Sequence, residues 1–139
     1  MLQQSIPPRA GWGLLPLRLV VGLVFAMHGG QKLFVFGLGG TAGFMGNVGI
    51  PVPMLAAVIV TAVEFLGGLA LLLGLFSRWA AIPLAIDMLV GIFAVHLKAG
   101  FFLPQGYEFA LTLLAANVTL ALLGSGEVSV DRVLEKRQA

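Results

Sequence analysis

The sequence predicts an all-α fold, a bundle of four transmembrane helices with both termini in the cytoplasm. Three observations carry this prediction. Mean hydropathy is +1.03. Only 10% of the 139 residues are charged and 59% are hydrophobic, whereas an average soluble domain carries about 25% charged residues. Too little polar surface is left to cover a globule. Finally, there are four apolar stretches, each near the ~20 residues that carry a helix across the hydrocarbon core.

The first span is predicted at Leu14–Phe36. Arg9 gives it a basic flank, but Arg18 interrupts the apolar run and no small-x-small cleavage site follows, so it reads as a retained span rather than a signal peptide. The segment Gly37–Pro53 is rich in glycine and ends in Pro51 and Pro53, which break one helix and start the next. It reads as a flexible linker or as a short interfacial helix around Phe44, Met45, Val48 and Ile50. Met54–Phe76 is the second span and Trp79–Leu97 the third. Only Ser77 and Arg78 separate them, which predicts an antiparallel hairpin. Lys98–Gly106 forms the next connection, with Gly100, Pro104 and Gly106, and Tyr107–Leu123 is the fourth span. The remainder, residues 124–139, turns abruptly polar and is expected to be a solvated cytoplasmic tail. Residues 1–139 read as one membrane domain.

Orientation follows from Lys and Arg. Arg9, Arg78, Arg132, Lys136 and Arg137 fall on one side of this arrangement, and Lys32 and Lys98 on the other. The positive-inside rule places the first group in the cytoplasm, giving a multi-pass protein of the cell inner membrane. The net charge of +2 rests on few residues and suits an anionic membrane surface, not nucleic acid. With no cysteine, disulfides, thiolate metal sites and thiol redox cycles are excluded from this chain.

Passive anchors do not need ionisable groups inside their spans, because each costs several kcal/mol unless paired or hydrated, roughly 2.5–3.5 at mid-span. Here Arg18, His28, Lys32, Glu64, Asp87, His96 and Glu108 all lie in predicted spans. Helical spacing puts Arg18, Gly22, Phe25, Gly29 and Lys32 on one stripe, and Ala57, Thr61, Glu64 and Gly68 on another. Gly22, Gly29, Gly67 and Gly68 would let helices approach closely. On the third helix Pro83, Asp87, Gly91, Ala94 and Lys98 align, and on the fourth Glu108, Thr112, Ala115 and Thr119. His96 and Asn117 fall opposite these last two stripes.

Depth divides the charges. Arg18, Glu64 and Asp87 occupy the inner half and middle, where the plain structural expectation is an ion pair of Arg18 with Asp87 or Glu64. The alternative is a proton path or ligand site. His28, Gln31, Lys32, His96, Lys98, Tyr107 and Glu108 lie nearer the outer face. They would either reach to headgroups or form an outward-facing pocket for a polar head or quinone carbonyl. The spacing of His28, His96 and Glu108 matches no metal motif, and no nucleophile motif is present. The ligand-binding candidates are therefore His28, Lys32, Glu64, His96, Tyr107 and Glu108, with Arg18 and Asp87 as the structural ion pair.

Several strings resemble the DoxX family of small membrane proteins. Leu17–Phe34 (LRLVVGLVFAMHGGQKLF) is similar to its first helix, and Val63–Ala81 (VEFLGGLALLLGLFSRWAA) to its second helix and turn. Gly106–Glu108 (GYE) and Gly124–Asp131 (GSGEVSVD) match later landmarks. The resemblance implies a four-helix membrane bundle, with Arg18, His28, Gly29, Lys32, Glu64, Gly67, Gly68, His96, Tyr107 and Glu108 at landmark positions. It also implies a link to redox chemistry, since the family takes its name from a subunit of a thiosulfate:quinone oxidoreductase.

The leading expectation is thus a membrane subunit of a redox system, a candidate part of a quinone-linked oxidoreductase. It would bind a quinone or a small oxidisable compound and dock a redox-protein partner. The alternatives are a proton-coupled small-solute carrier, which would need a homo-oligomer, and a non-catalytic scaffold or assembly partner.

Overall fold

The computed structural model describes residues 7–138; the ends of the predicted 1–139 domain, residues 1–6 and 139, lie outside the described residues. The chain is helical, with no strand among the described residues. Helix α1 (Pro8–Gly30) starts on a proline, which suits a first turn with no hydrogen bond to lose. It runs on through a π-helical turn, Gln31–Phe36. At Gly37 the backbone swings to a φ of 71°, a conformation that glycine adopts without a Cβ penalty. This redirects the chain into α2 (Gly37–Asn47).

Helix α3 (Pro53–Leu73) again begins on proline, and it ends at Gly74 in the left-handed conformation. Then α4 (Ser77–Gly91) returns antiparallel and continues through a π-helical turn (Ile92–His96) and a 3₁₀ turn (Leu97–Ala99). After the loop come α5 (Glu108–Leu123) and α6 (Val130–Gln138).

Three helical stretches, Arg9–Asn47, Pro53–Leu73 and Ser77–Ala99, are long and apolar enough to cross a membrane, and Glu108–Leu123 is a shorter apolar helix. Their outer faces carry Val20, Leu23, Met27, Leu55, Leu66, Leu73, Ile86, Phe93 and Leu122, all exposed. A soluble monomer does not present such a band. Lipid is the solvent it fits.

In lipid, helices associate by close packing rather than by apolar burial. Helices α1 and α3 show this. A Cβ on Gly29 would overlap the backbone of Phe65, and one on Gly68 would overlap the backbone of Ala26. Gly67 faces the side chain of Leu84 on α4. The core proper is one cluster containing Leu14, Val21, Phe25, Leu71, Ala81, Leu84, Leu113 and Leu120. The buried stripes on α1 and α3 run as their spacing predicts: Arg18, Gly22, Phe25 and Gly29, and Ala57, Thr61, Glu64 and Gly68.

Of the two readings of the glycine-rich segment, the helix holds: α2 packs Thr41, Ala42 and Met45 toward Ala57 on α3. Two expectations differ. The fourth-helix stripe is the reverse of the predicted one. Ala110, Leu113, Asn117 and Leu120 are buried, while Thr112 and Ala115 are exposed. Thr112 and Thr119 instead satisfy their hydroxyls on the carbonyls of Glu108 and Ala115, one turn back. The tail, too, is not free in solvent but docked onto the bundle, as described next.

Candidate functional site

Glu64 and Asp87 are almost equally far in sequence from the turn joining α3 to α4. Antiparallel packing therefore puts them at one depth, near the middle of α3. Lys32 reaches the same place from the π-helical turn after α1. Its ammonium Nζ donates to Glu64 Oε2 at 2.5 Å, with side-chain exposures of 21% and 6%. The Asp87 carboxyl lies beside that of Glu64, and its Oδ2 is buried without a protein partner. One ammonium facing two carboxyls becomes neutral only when a single proton is held between the acids. In hydrocarbon, neutrality is the low-energy arrangement. Thr61 Oγ1, one turn outward from Glu64, is also buried and unpartnered. So is Asn117 Oδ1, whose amide Nδ2 donates to the Leu113 carbonyl at 2.9 Å.

The predicted Arg18–Asp87 ion pair does not form. Arg18 is 2% exposed, and its guanidinium donates to the backbone carbonyls of Ser125 and, at 2.7 Å, Val128. Those carbonyls belong to the tail, which closes the end of the bundle at the α3–α4 turn. Asp131 accepts from the backbone N–H groups of Phe76 (2.7 Å) and Ser77 (3.2 Å), and its own N–H donates to the Gly74 carbonyl at 3.0 Å. A carboxylate at the start of α4 complements the helix dipole, although it comes from a segment far along the chain. Phe76 is held there at a φ of 49°, which the two bonds from Asp131 help to fix. Depth alone suggests a counter-charge for Arg18 and cannot reveal that the tail folds back.

The six predicted ligand residues divide into three groups. Lys32 and Glu64 meet. His96, Tyr107 and Glu108 build the outer loop instead. His96 Nδ1 is 2.9 Å from the Gln105 carbonyl, Glu108 Oε1 accepts from the Leu103 N–H at 2.7 Å, and Tyr107 packs edge-on against Phe101. His28 is exposed and lines a groove of about 590 Å³ with Met27, Gln31, Phe34, Val35 and Phe65. Phe65 is next in sequence to Glu64, and its ring stands edge-on to Phe34 at 6.0 Å. The groove is mostly apolar, with His28 and Gln31 as its polar groups. Both α1 and α4 change to π-helical turns in this outer half, a feature frequent at functional sites. Asp87 and Gln31 are the residues that site prediction placed elsewhere or passed over. For Asp87 a signal existed in its almost equal spacing with Glu64 about the hairpin turn.

The family model described as DoxX matches residues 13–97. The chain belongs to the DoxX family. Among similar proteins, Bacillus subtilis CatD, whose name carries a provisional oxidoreductase assignment, is 35% identical over 119 residues, covering 86% of this chain and 84% of CatD. An uncharacterized membrane protein of Mycobacterium tuberculosis is 36% identical over 148 aligned positions, covering 99% of this chain and 88% of that protein. The inner membrane protein YqjF of Escherichia coli is 32% identical over 130 residues, covering 90% of this chain and 94% of YqjF. No solved structure matches significantly. With its spans, this DoxX chain is a multi-pass protein of the inner membrane.

Proposed function

We propose that this DoxX protein is the membrane subunit of a redox system and binds a quinone, or a similarly small oxidisable compound, next to the Lys32–Glu64–Asp87 cluster. The observation that carries this reading is the cluster itself. It is a buried meeting of one ammonium and two carboxyls with an unpartnered carboxyl oxygen, and the sequence neighbours Gln31 and Phe65 line an apolar groove that opens toward lipid. The groove's volume lies within the usual range for small-ligand sites, roughly 300–1,000 Å³. His28 and Gln31 would donate hydrogen bonds to ring carbonyls, and the aromatic walls of Phe34 and Phe65 would hold the ring. A bound quinone would supply two-electron, two-proton chemistry. The protein's own part is to orient the ring and to hold a proton between Glu64 and Asp87. Because the chain has no thiol, electrons would pass to a redox-protein partner. CatD's name points in the same direction.

Titration of the purified protein with a short-chain quinone tests this. Wild type is expected to bind. His28→Ala and Gln31→Ala should each weaken binding by up to about 10-fold, the scale of a lost hydrogen bond of roughly 0.5–1.5 kcal/mol. Unchanged binding in both variants, or no binding by wild type, contradicts the assignment.

A further inference from the structure

The bundle is built differently on the two sides of the cluster. Toward the tail, α1 and α4 stay α-helical through Pro16 and Pro83, as do α3 and α5, and Phe25, Leu71, Leu84 and Leu120 are fully buried. The largest sealed side chains thus stand between the cluster and the tail end, along about 15 Å of helix. Proton carriers are absent from that layer. Fully buried Asn117 borders that layer on α5, and Ser77 and Arg18, further inward, belong to the tail closure; Asn117 Oδ1, Ser77 Oγ and Arg18 Nε also lack a protein partner.

Outward, the construction changes. Lys32 is one-fifth exposed. Thr61 Oγ1 and Asp87 Oδ2, either side of Glu64, are buried and have no protein partner. Buried oxygens of this kind are normally satisfied by water. Both helices bearing the cluster's ends loosen into π-helical turns just here.

Few charged groups face the cluster: Lys32 from the turn after α1, Glu64 from α3 and Asp87 from α4. Helix α2 carries no ionisable residue. On α5, Asn117 lies near the depth of Asp87, while Glu108 is engaged at the outer end.

We infer that the proton shared by Glu64 and Asp87 exchanges with the outer aqueous side alone, passing Thr61 and Lys32, and is sealed from the cytoplasm by the Phe25–Leu71–Leu84–Leu120 layer. This rests on reading the cluster as the acid–base site, as in the proposed function, but needs no quinone. The direction has a consequence: any ligand oxidised at the cluster releases its proton outward, and any ligand reduced there draws its proton from outside.

The absence of cysteine makes the test clean. In sealed vesicles of known orientation, Thr61→Cys should react with a membrane-impermeant thiol reagent added on the outer side and not on the tail side. Ala81→Cys, within the sealed layer, should react from neither. In the unlabelled full-length protein, the infrared carboxylic-acid band should follow the outer pH and disappear in Asp87→Asn or Glu64→Gln. Reaction of Thr61→Cys from the tail side or from neither, reaction of Ala81→Cys, or a band that follows the tail-side pH, both sides or neither would overturn the inference. Neither readout contains a quinone, so a failed quinone titration leaves both intact.

Discussion

Lys32 decides the character of the site. Its stem starts from a widened turn and its ammonium contacts Glu64 at 2.5 Å, which leaves Asp87 as a second acid with one free oxygen. A buried charge stripped of its partner costs about 3–5 kcal/mol, so neither residue of the pair is there for packing alone. Asn117 makes a useful contrast. It is fully buried, and its Oδ1 has no protein partner. Replacing an unsatisfied amide by an apolar side chain of similar volume is near neutral or stabilising. Asn117→Leu should therefore leave the unfolding midpoint unchanged or raise it in detergent micelles; a large drop would show that a water or ligand completes the amide. The stripe on α1 and the placement of Glu64 were legible because helical spacing alone fixes them. Asn117 was assigned to the wrong face because Thr112 and Thr119 read as inward polar groups, although each satisfies its hydroxyl on its own helix.

At the scale of elements, glycine explains both what the sequence revealed and what it hid. Gly29 and Gly68 mark a helix contact too close for any side chain, and that contact was readable from their spacing. The same residue type left α2 undecided between a helix and a linker. Each glycine costs a helix about 1 kcal/mol relative to alanine, yet packing of Ala42 and Met45 near Ala57 outweighs this. Propensity yields to tertiary contact. The tail was misread for a related reason. Its charge suggested solvent, but Asp131 serves as a remote cap for α4. Asp131→Ala should lower stability by about 0.5–2 kcal/mol, the usual cost of a lost cap, measured by reversible unfolding in mixed micelles. No change would mean that the tail does not dock in solution.

For the whole molecule, the bundle has two functional ends. The tail end is closed by Arg18, the tail carbonyls and Asp131, and five basic residues, Arg9, Arg78, Arg132, Lys136 and Arg137, lie in the segments on that side, which the positive-inside rule assigns to the cytoplasm. The outer half holds the acid–base cluster, the lipid-facing groove and the loop organised by His96, Tyr107 and Glu108. Membership of the DoxX family and residence in the inner membrane follow from the comparisons and the spans. The convergence of charges from α1, α3 and α4 at mid-bundle is the claim on which the functional reading depends. A double-mutant cycle on Lys32→Met and Glu64→Gln tests it most directly, with stability measured for each single variant and the pair. The account predicts strong coupling: Lys32→Met alone is severely destabilising, by about 3–5 kcal/mol, and adding Glu64→Gln restores most of the loss. Effects that simply add, within about 0.5 kcal/mol, would mean that the two side chains do not meet.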